Sequence, residues 1–213
     1  MSFSHLTVEV SSRIRTAQAA LSVARGLSAP DDRVVRGLIY VILFGAYEWL
    51  LKRSVSAVVS SVNSHAIARN QMLWGLLCMS MDAEIQSFRA SPVRKVWAKA
   101  PALLRLVEDK SAATVSDVFP SDGSFMKPSQ LQLIWALLEL PGDPWPDSRL
   151  IGRITEIREA RNDIAHGENP PEFYGSRITD GEMKARIDDM NWLFTHIITS
   201  LSKHFKSRTA FIR

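Results

Sequence analysis

Arg149-Leu150-Ile151-Gly152-Arg153-Ile154-Thr155-Glu156-Ile157-Arg158-Glu159-Ala160-Arg161-Asn162-Asp163-Ile164-Ala165-His166, followed by Gly167, decides the fold class. At about 100° per residue, Leu150, Ile154, Ile157, Arg161 and Ile164 fall on one narrow stripe, the signature of a helix with one side turned to a core. Ser148 stands where an N-cap belongs, and Gly167 is the residue type that commonly follows a helix C-terminus. One position breaks the pattern. Arg161 is charged where the stripe calls for an apolar side chain, and a guanidinium that cannot shed its proton needs an acceptor or a wet cleft.

Outward from this segment, helical periodicity and helix formers dominate, while period-two alternation between turn signals is almost absent, so the expected class is all-α. A first helix is predicted over residues 6–27, closed by Ser28-Ala29-Pro30, and Asp31-Asp32 opens a long, very apolar second helix over 31–62. A third is predicted over 69–88, with Trp74, Leu77 and Met81 on one face. From 92 to 127 the pattern loosens around Pro101, Pro120 and Asp122-Gly123, which predicts an insertion with a short helical piece near Leu103. Pro128 starts a helix carrying Leu131, Ile134, Leu137 and Leu138, stopped by Pro141-Gly142. Residues 169–175 read as an irregular loop, and Thr179-Asp180-Gly181-Glu182 has capping-box spacing for a last helix to about residue 206. No solenoid repeat is visible. The expectation is one domain over 1–213, an antiparallel helical bundle with 92–127 inserted.

The composition is that of an ordinary globular chain of 213 residues, with one cysteine, Cys78, in an apolar run. No intramolecular disulfide can form, and Cys78 reads as a small core residue. The N-terminus lacks a secretory pattern, and the apolar stretch 37–51 is short for a bilayer and contains Glu48. A cytoplasmic chain with no membrane contact is expected. The formal charge of +4 is compatible with a polyanionic partner but does not select one.

Asn162, Ala165 and His166 lie on the flank beside Arg161, and Arg158 falls in the same arc. Glu48 is the only charged residue between Arg36 and Lys52. A carboxylate in so apolar a helix needs a partner, and Arg161 is the expected one. Asp163 reads as a solvated face residue. His166 beside Gly167 is also what an ordinary helix end looks like, since a cation suits the exposed carbonyls there.

The segment Arg161-Asn162-Asp163-Ile164-Ala165-His166-Gly167 resembles the Arg-x4-6-His motif of the HEPN superfamily, in particular the branch associated with RiboL-PSP proteins. Further points of similarity are Lys127-Pro128-Ser129 with Leu131 opening the preceding helix, and Glu48 in the second helix. The resemblance implies a homodimer that joins two motifs in a cleft and cuts RNA without a metal or other cofactor, in the setting of a toxin-antitoxin or phage-defence system. It further implies an antitoxin or regulatory protein as partner. Cleavage by the RNA's own 2′-hydroxyl needs a group that moves a proton near neutral pH and a cation for the phosphorane charge. In that scheme His166 is general base or acid, Arg161 clamps the phosphate, Asn162 positions it and Glu48 orients Arg161. The products would be a 2′,3′-cyclic phosphate and a 5′-hydroxyl.

Arg158, Lys203 and Lys206 are further candidate RNA contacts, the last two in the run Lys203-His204-Phe205-Lys206-Ser207-Arg208. A second basic cluster runs from Arg89 to Arg105 around Trp97. His5, His65, His196 and His204 are not spaced as a helix-borne metal pair, so no metal site is expected. There is no glycine-rich phosphate loop and no local triad spacing. Trp49, Trp74, Trp135 and Trp192 read as core, and Trp145, between two prolines, as partly exposed. The competing functional class is a non-catalytic helical module that binds RNA, a nucleotide or a partner protein through the same cleft. A DNA-associated regulator is the third class, without a recognition-helix signature to support it.

Overall fold

Two long helices set the frame. In the computed structural model, which describes residues 3–120 and 125–213, α1 (Ser4–Ala24) and α2 (Asp31–Ser64) run antiparallel and pack along their length. Leu6, Val10, Ile14, Ala17 and Leu21 of α1 form the buried stripe that a 3.6-residue period dictates. Short helices α3 (Trp74–Ser80), α4 (Asp82–Arg89) and α5 (Val93–Val107) follow, then α6 (Pro128–Leu137), α7 (Arg149–His166), α8 (Pro171–Gly175) and α9 (Asp180–His204). No strand occurs among the described residues, so the fold is all-α. Buried side chains from Phe3 to Phe211 form one continuous hydrophobic cluster.

α2 is the central element because its apolar residues surround it. Tyr40, Leu43, Phe44, Tyr47, Leu51 and Val55 are all within 3% of complete burial. By length and hydropathy α2 could also cross a membrane, and half of its most apolar window is buried inside the bundle. α8 rests on its N-terminal half at unusually close range. A Cβ at Gly37 would meet the Pro171 carbonyl, and one at Gly175 would meet that of Arg33, so both glycines are required by the backbone approach. α9 begins beside Arg36, which donates to the Ile178 carbonyl at 2.9 Å, and Thr179 and Glu182 form the expected capping box.

The predicted third helix is broken in three. Residues 69–71 form a 3-10 turn, and Met72 and Leu73 are extended because the C-terminal segment pairs with them, Leu73 N donating to the Phe211 carbonyl at 3.0 Å. A tertiary strand-like contact here overrides local helix propensity. In the predicted insertion the helix is longer than expected, since α5 continues through Pro101 and loses only one backbone bond there. Residues 113–119 then return along α2, with Val115 N donating to Asn63 Oδ1 at 2.8 Å and Ser56 Oγ to Asp117 at 3.0 Å. The predicted break at Asp122-Gly123 lies outside the described residues.

Cys78 is exposed, not core, since it points away from the buried Leu76, Leu77 and Met79 around α3. Trp74 and Trp192 are also exposed, each beneath an arginine, Arg213 and Arg149 respectively. Trp135 is buried as expected and Trp49 is half-buried. Trp145 is buried despite its flanking prolines. Aromatic spacing alone does not separate a core position from a cation-covered surface position, because the two differ only in what lies across from them.

Candidate functional site

α7 spans Arg149–His166, the predicted bounds, and Leu150, Ile154 and Ile157 are completely buried on its core side. Burial of each contributes about 1.5–3 kcal/mol. Ser148 occupies the N-cap position without a side-chain capping bond, and Asp147 Oδ1 accepts from Arg149 N at 2.9 Å. A chain of ion pairs fixes the helix sideways. Asp189 of α9 accepts from Arg149 and Arg153, each at 3.0 Å, and Glu156 accepts from Arg153 at 2.6 Å, from Arg186 Nε at 2.7 Å and from the Tyr40 hydroxyl at 3.2 Å. Side chains of α2, α7 and α9 are therefore tied together about one to three turns before the motif.

Arg161 is half-buried and lies over two aromatic rings, 5.0 Å from the Phe44 centroid and 5.3 Å from that of Phe125. This explains how a cation sits on an apolar stripe: the ring faces attract it by about 0.5–2 kcal/mol and leave its edge free. Its Nη1 donates to Asn162 Oδ1 at 3.0 Å, a contact between neighbouring residues of the motif. The predicted Glu48–Arg161 pair is not. Glu48 accepts from Lys52 Nζ at 2.6 Å, one turn along α2. The i,i+4 Glu-Lys spacing is a sequence signal for this arrangement, and a local partner costs less chain ordering than a distant one. Glu48 therefore does not orient Arg161, and among the described residues no carboxylate pairs with that guanidinium.

His166 stands in the last turn of α7, exposed, and makes no hydrogen bond or ion pair among the described residues. Gly167 follows at φ 75°, the left-handed conformation that reverses the chain. Asp163 is not a solvated bystander. It accepts hydrogen bonds from the Tyr174 hydroxyl and from Asn169 Nδ2, while its carbonyl accepts from Glu168 N at 2.9 Å. The carboxylate thus clamps the turn that carries His166 to α8, and α8 is locked on α2 through Gly37. Helical periodicity could not reveal this clamp, because Asn169 and Tyr174 lie beyond the helix end.

Burial, then the Asp163 carboxylate, pushes the Tyr174 hydroxyl up to about 12. Burial likewise raises Tyr40 to about 12, and it raises the fully buried Tyr47 further. These are the chain's only tyrosines. In the unfolded chain they ionise near pH 10, so their contribution to stability is intact below that pH and is lost as pH rises toward the folded values. Absorbance at 295 nm is expected to show no tyrosinate in the folded protein at pH 10.5, appearing only with the loss of helical circular dichroism. Ionisation of a tyrosine near pH 10 with the fold intact would contradict this environment.

Arg158 is only 16% exposed at its side chain, lies 3.7 Å from Glu159, and leaves its buried Nε without a partner. It remains in reach of the motif by helix geometry, one turn before Asn162. Lys203 and Lys206 do not. The end of α9 adjoins Phe211 and His65, whereas Arg161 meets α2 at Phe44, and those two points are about 30 Å apart along the helix. Within one chain the structure does not bring these lysines to the motif.

A groove of about 910 Å³ runs between α1 and the C-terminal half of α2, lined by His5, Glu9, Trp49, Arg53 and His65, and no motif residue belongs to it. Among the described residues no group of three or more His, Cys, Asp or Glu is placed to hold a metal ion. What the motif presents is a fixed cation on an aromatic shelf, a neighbouring amide and an unpartnered imidazole at a helix end. Phe44 and Phe125 are members of this site that sequence periodicity did not single out. No protein-family model matches the chain, and neither a curated protein nor a solved structure is significantly similar to it.

Proposed function

We propose that the segment from Arg161 to His166 is a metal-independent RNA-cleaving site completed by a second copy of the chain, in a cytoplasmic toxin or defence effector of HEPN type. The observation that carries it is Arg161 itself: a guanidinium held on Phe44 and Phe125 with no carboxylate partner among the described residues, leaving N–H donors for an anion. His166, five residues on, lies about 140° further round the helix, beyond the flank beside Arg161 on which the sequence reading put it, so one chain does not converge both groups on one phosphate. A second copy supplies the missing half.

An apolar strip beside the site suits that second copy. Leu38 is exposed, Val41 and Ile42 are half-buried, and Gly45 has open space where a Cβ would stand. This strip is on α2, next to Phe44, and ends at Glu48. Covering it would exclude water from the Arg161 edge and strengthen charge interactions there. His166 would move the 2′-hydroxyl or leaving-group proton, Arg161 with Asn162 would hold the phosphorane oxygens, and Arg158 would extend the cationic edge. A regulatory protein that separates the copies would silence the site.

A second reading is favoured by one observation: among the described residues no side chain orients the His166 imidazole, and bases in active sites are normally held by a hydrogen bond. In that reading the same edge binds RNA, a nucleotide or a partner protein without cutting. Incubation of labelled mixed-sequence RNA with the dimeric fraction in EDTA separates the two. Fragments ending in 2′,3′-cyclic phosphate support cleavage; RNA that is retained but intact supports the binding module and overturns the nuclease.

A further inference from the structure

We propose that α5 is a membrane-surface helix that docks the protein on anionic lipid, a property independent of the ribonuclease reading. Three of the largest exposed apolar side chains lie on this one helix: Val93 at 86%, Trp97 at 83% and Leu104 at 67% exposure. At 100° per residue they share one stripe with Ala100 and Pro101, while Leu103 and Leu106 on the adjoining side, with Val107, pack against the core. The helix is apolar over more of its circumference than the bundle uses.

Charge selects the occupant. Every charged residue of α5 is basic, namely Arg94, Lys95, Lys99 and Arg105, and Arg89 precedes it at the end of α4. Lys99 donates to Ser87 at the hairpin, and the other cations make no side-chain bond among the described residues. Arg94 and Arg105 border the exposed stripe. Two copies paired antiparallel on this face would bring Arg94 of one beside Arg105 of the other. RNA would stack on Trp97, but it gains nothing from an exposed valine and leucine in line with that ring. A protein partner is normally met by a pocket holding one buried anchor, whereas these residues stand out from a convex helix. A flat, soft, negatively charged surface accepts all of them: Val93, Trp97 and Leu104 enter the boundary between headgroups and acyl chains, and the cations remain among the headgroups.

The test uses the full chain and extruded vesicles of phosphatidylcholine alone or with phosphatidylglycerol at a ratio of about 7:3, read by co-sedimentation. Binding is expected to the mixed vesicles and not to phosphatidylcholine alone, and it should weaken with salt. Each cation near the surface contributes about fivefold to partitioning, so Arg94→Glu with Arg105→Glu should lower it by at least about twentyfold. Trp97→Glu should abolish it while helical circular dichroism stays unchanged, as expected for a side chain this exposed. Lipids brominated near the headgroup should quench tryptophan emission in the wild type and not in Trp97→Phe. Absence of binding to the mixed vesicles, or binding that survives Trp97→Glu, overturns the proposal. So does the finding that these variants lose affinity for an uncleavable 2′-O-methyl RNA instead.

Discussion

His166→Ala is expected to lower RNA cleavage about 10²–10⁴-fold, the range that a positioned acid or base supplies, and to leave the melting temperature within a degree or two. The second half of this expectation follows from the structure: the imidazole is exposed, makes no hydrogen bond among the described residues, and sits past the last core contact of α7. Arg161→Lys is its necessary companion. Lysine keeps the charge but loses the planar face that lies on Phe44 and Phe125 and the fork that can grip two phosphate oxygens. A comparable loss in both variants, at equal dimer content, places both groups on the reacting phosphate. If His166→Ala cuts as fast as the wild type, His166 has no catalytic role and the proposed mechanism fails.

Asp189→Ala is expected to destabilise the fold by about 2–3 kcal/mol, read as a lower urea midpoint with an unchanged slope. Asp189 is 9% exposed and receives both Arg149 and Arg153, so its removal leaves Arg153, itself 22% exposed, facing a hole. The value sits below that of a fully buried pair because Arg149 is 61% exposed and can turn to water. Glu156 retains Arg153 and Arg186, which limits the damage to one end of the network. Asp189→Asn, which keeps an acceptor, should recover part of the loss. An unchanged midpoint in Asp189→Ala would mean that apolar packing alone seats α7, and that the ion pairs only decorate its edge.

The helix that carries the site was legible because its determinants are local. The apolar stripe of α7, the glycine after His166 and the capping box at Thr179 each act within one or two turns, and α7 and the start of α9 fall where these signals put them. Local chemistry also contained the Glu48–Lys52 pair, one turn apart, although the isolation of Glu48 in an apolar helix pointed toward Arg161. The short helices were less legible. Residues 72–73 are drawn out by the C-terminal segment, and nothing within that stretch encodes a partner some 140 residues away.

The amino-acid sequence by itself determined an all-α chain, the bounds of the motif helix and the anomaly of Arg161 on its apolar stripe, because periodicity and capping are properties of neighbouring residues. The tertiary structure alone decided that aromatic rings hold Arg161 and that no carboxylate among the described residues does, that Asp163 clamps the following turn through Tyr174, that Lys203 and Lys206 lie far from the motif, and that the apolar surface of α5 faces outward. Each of these depends on which element packs across from a residue, and that is settled by the whole core together.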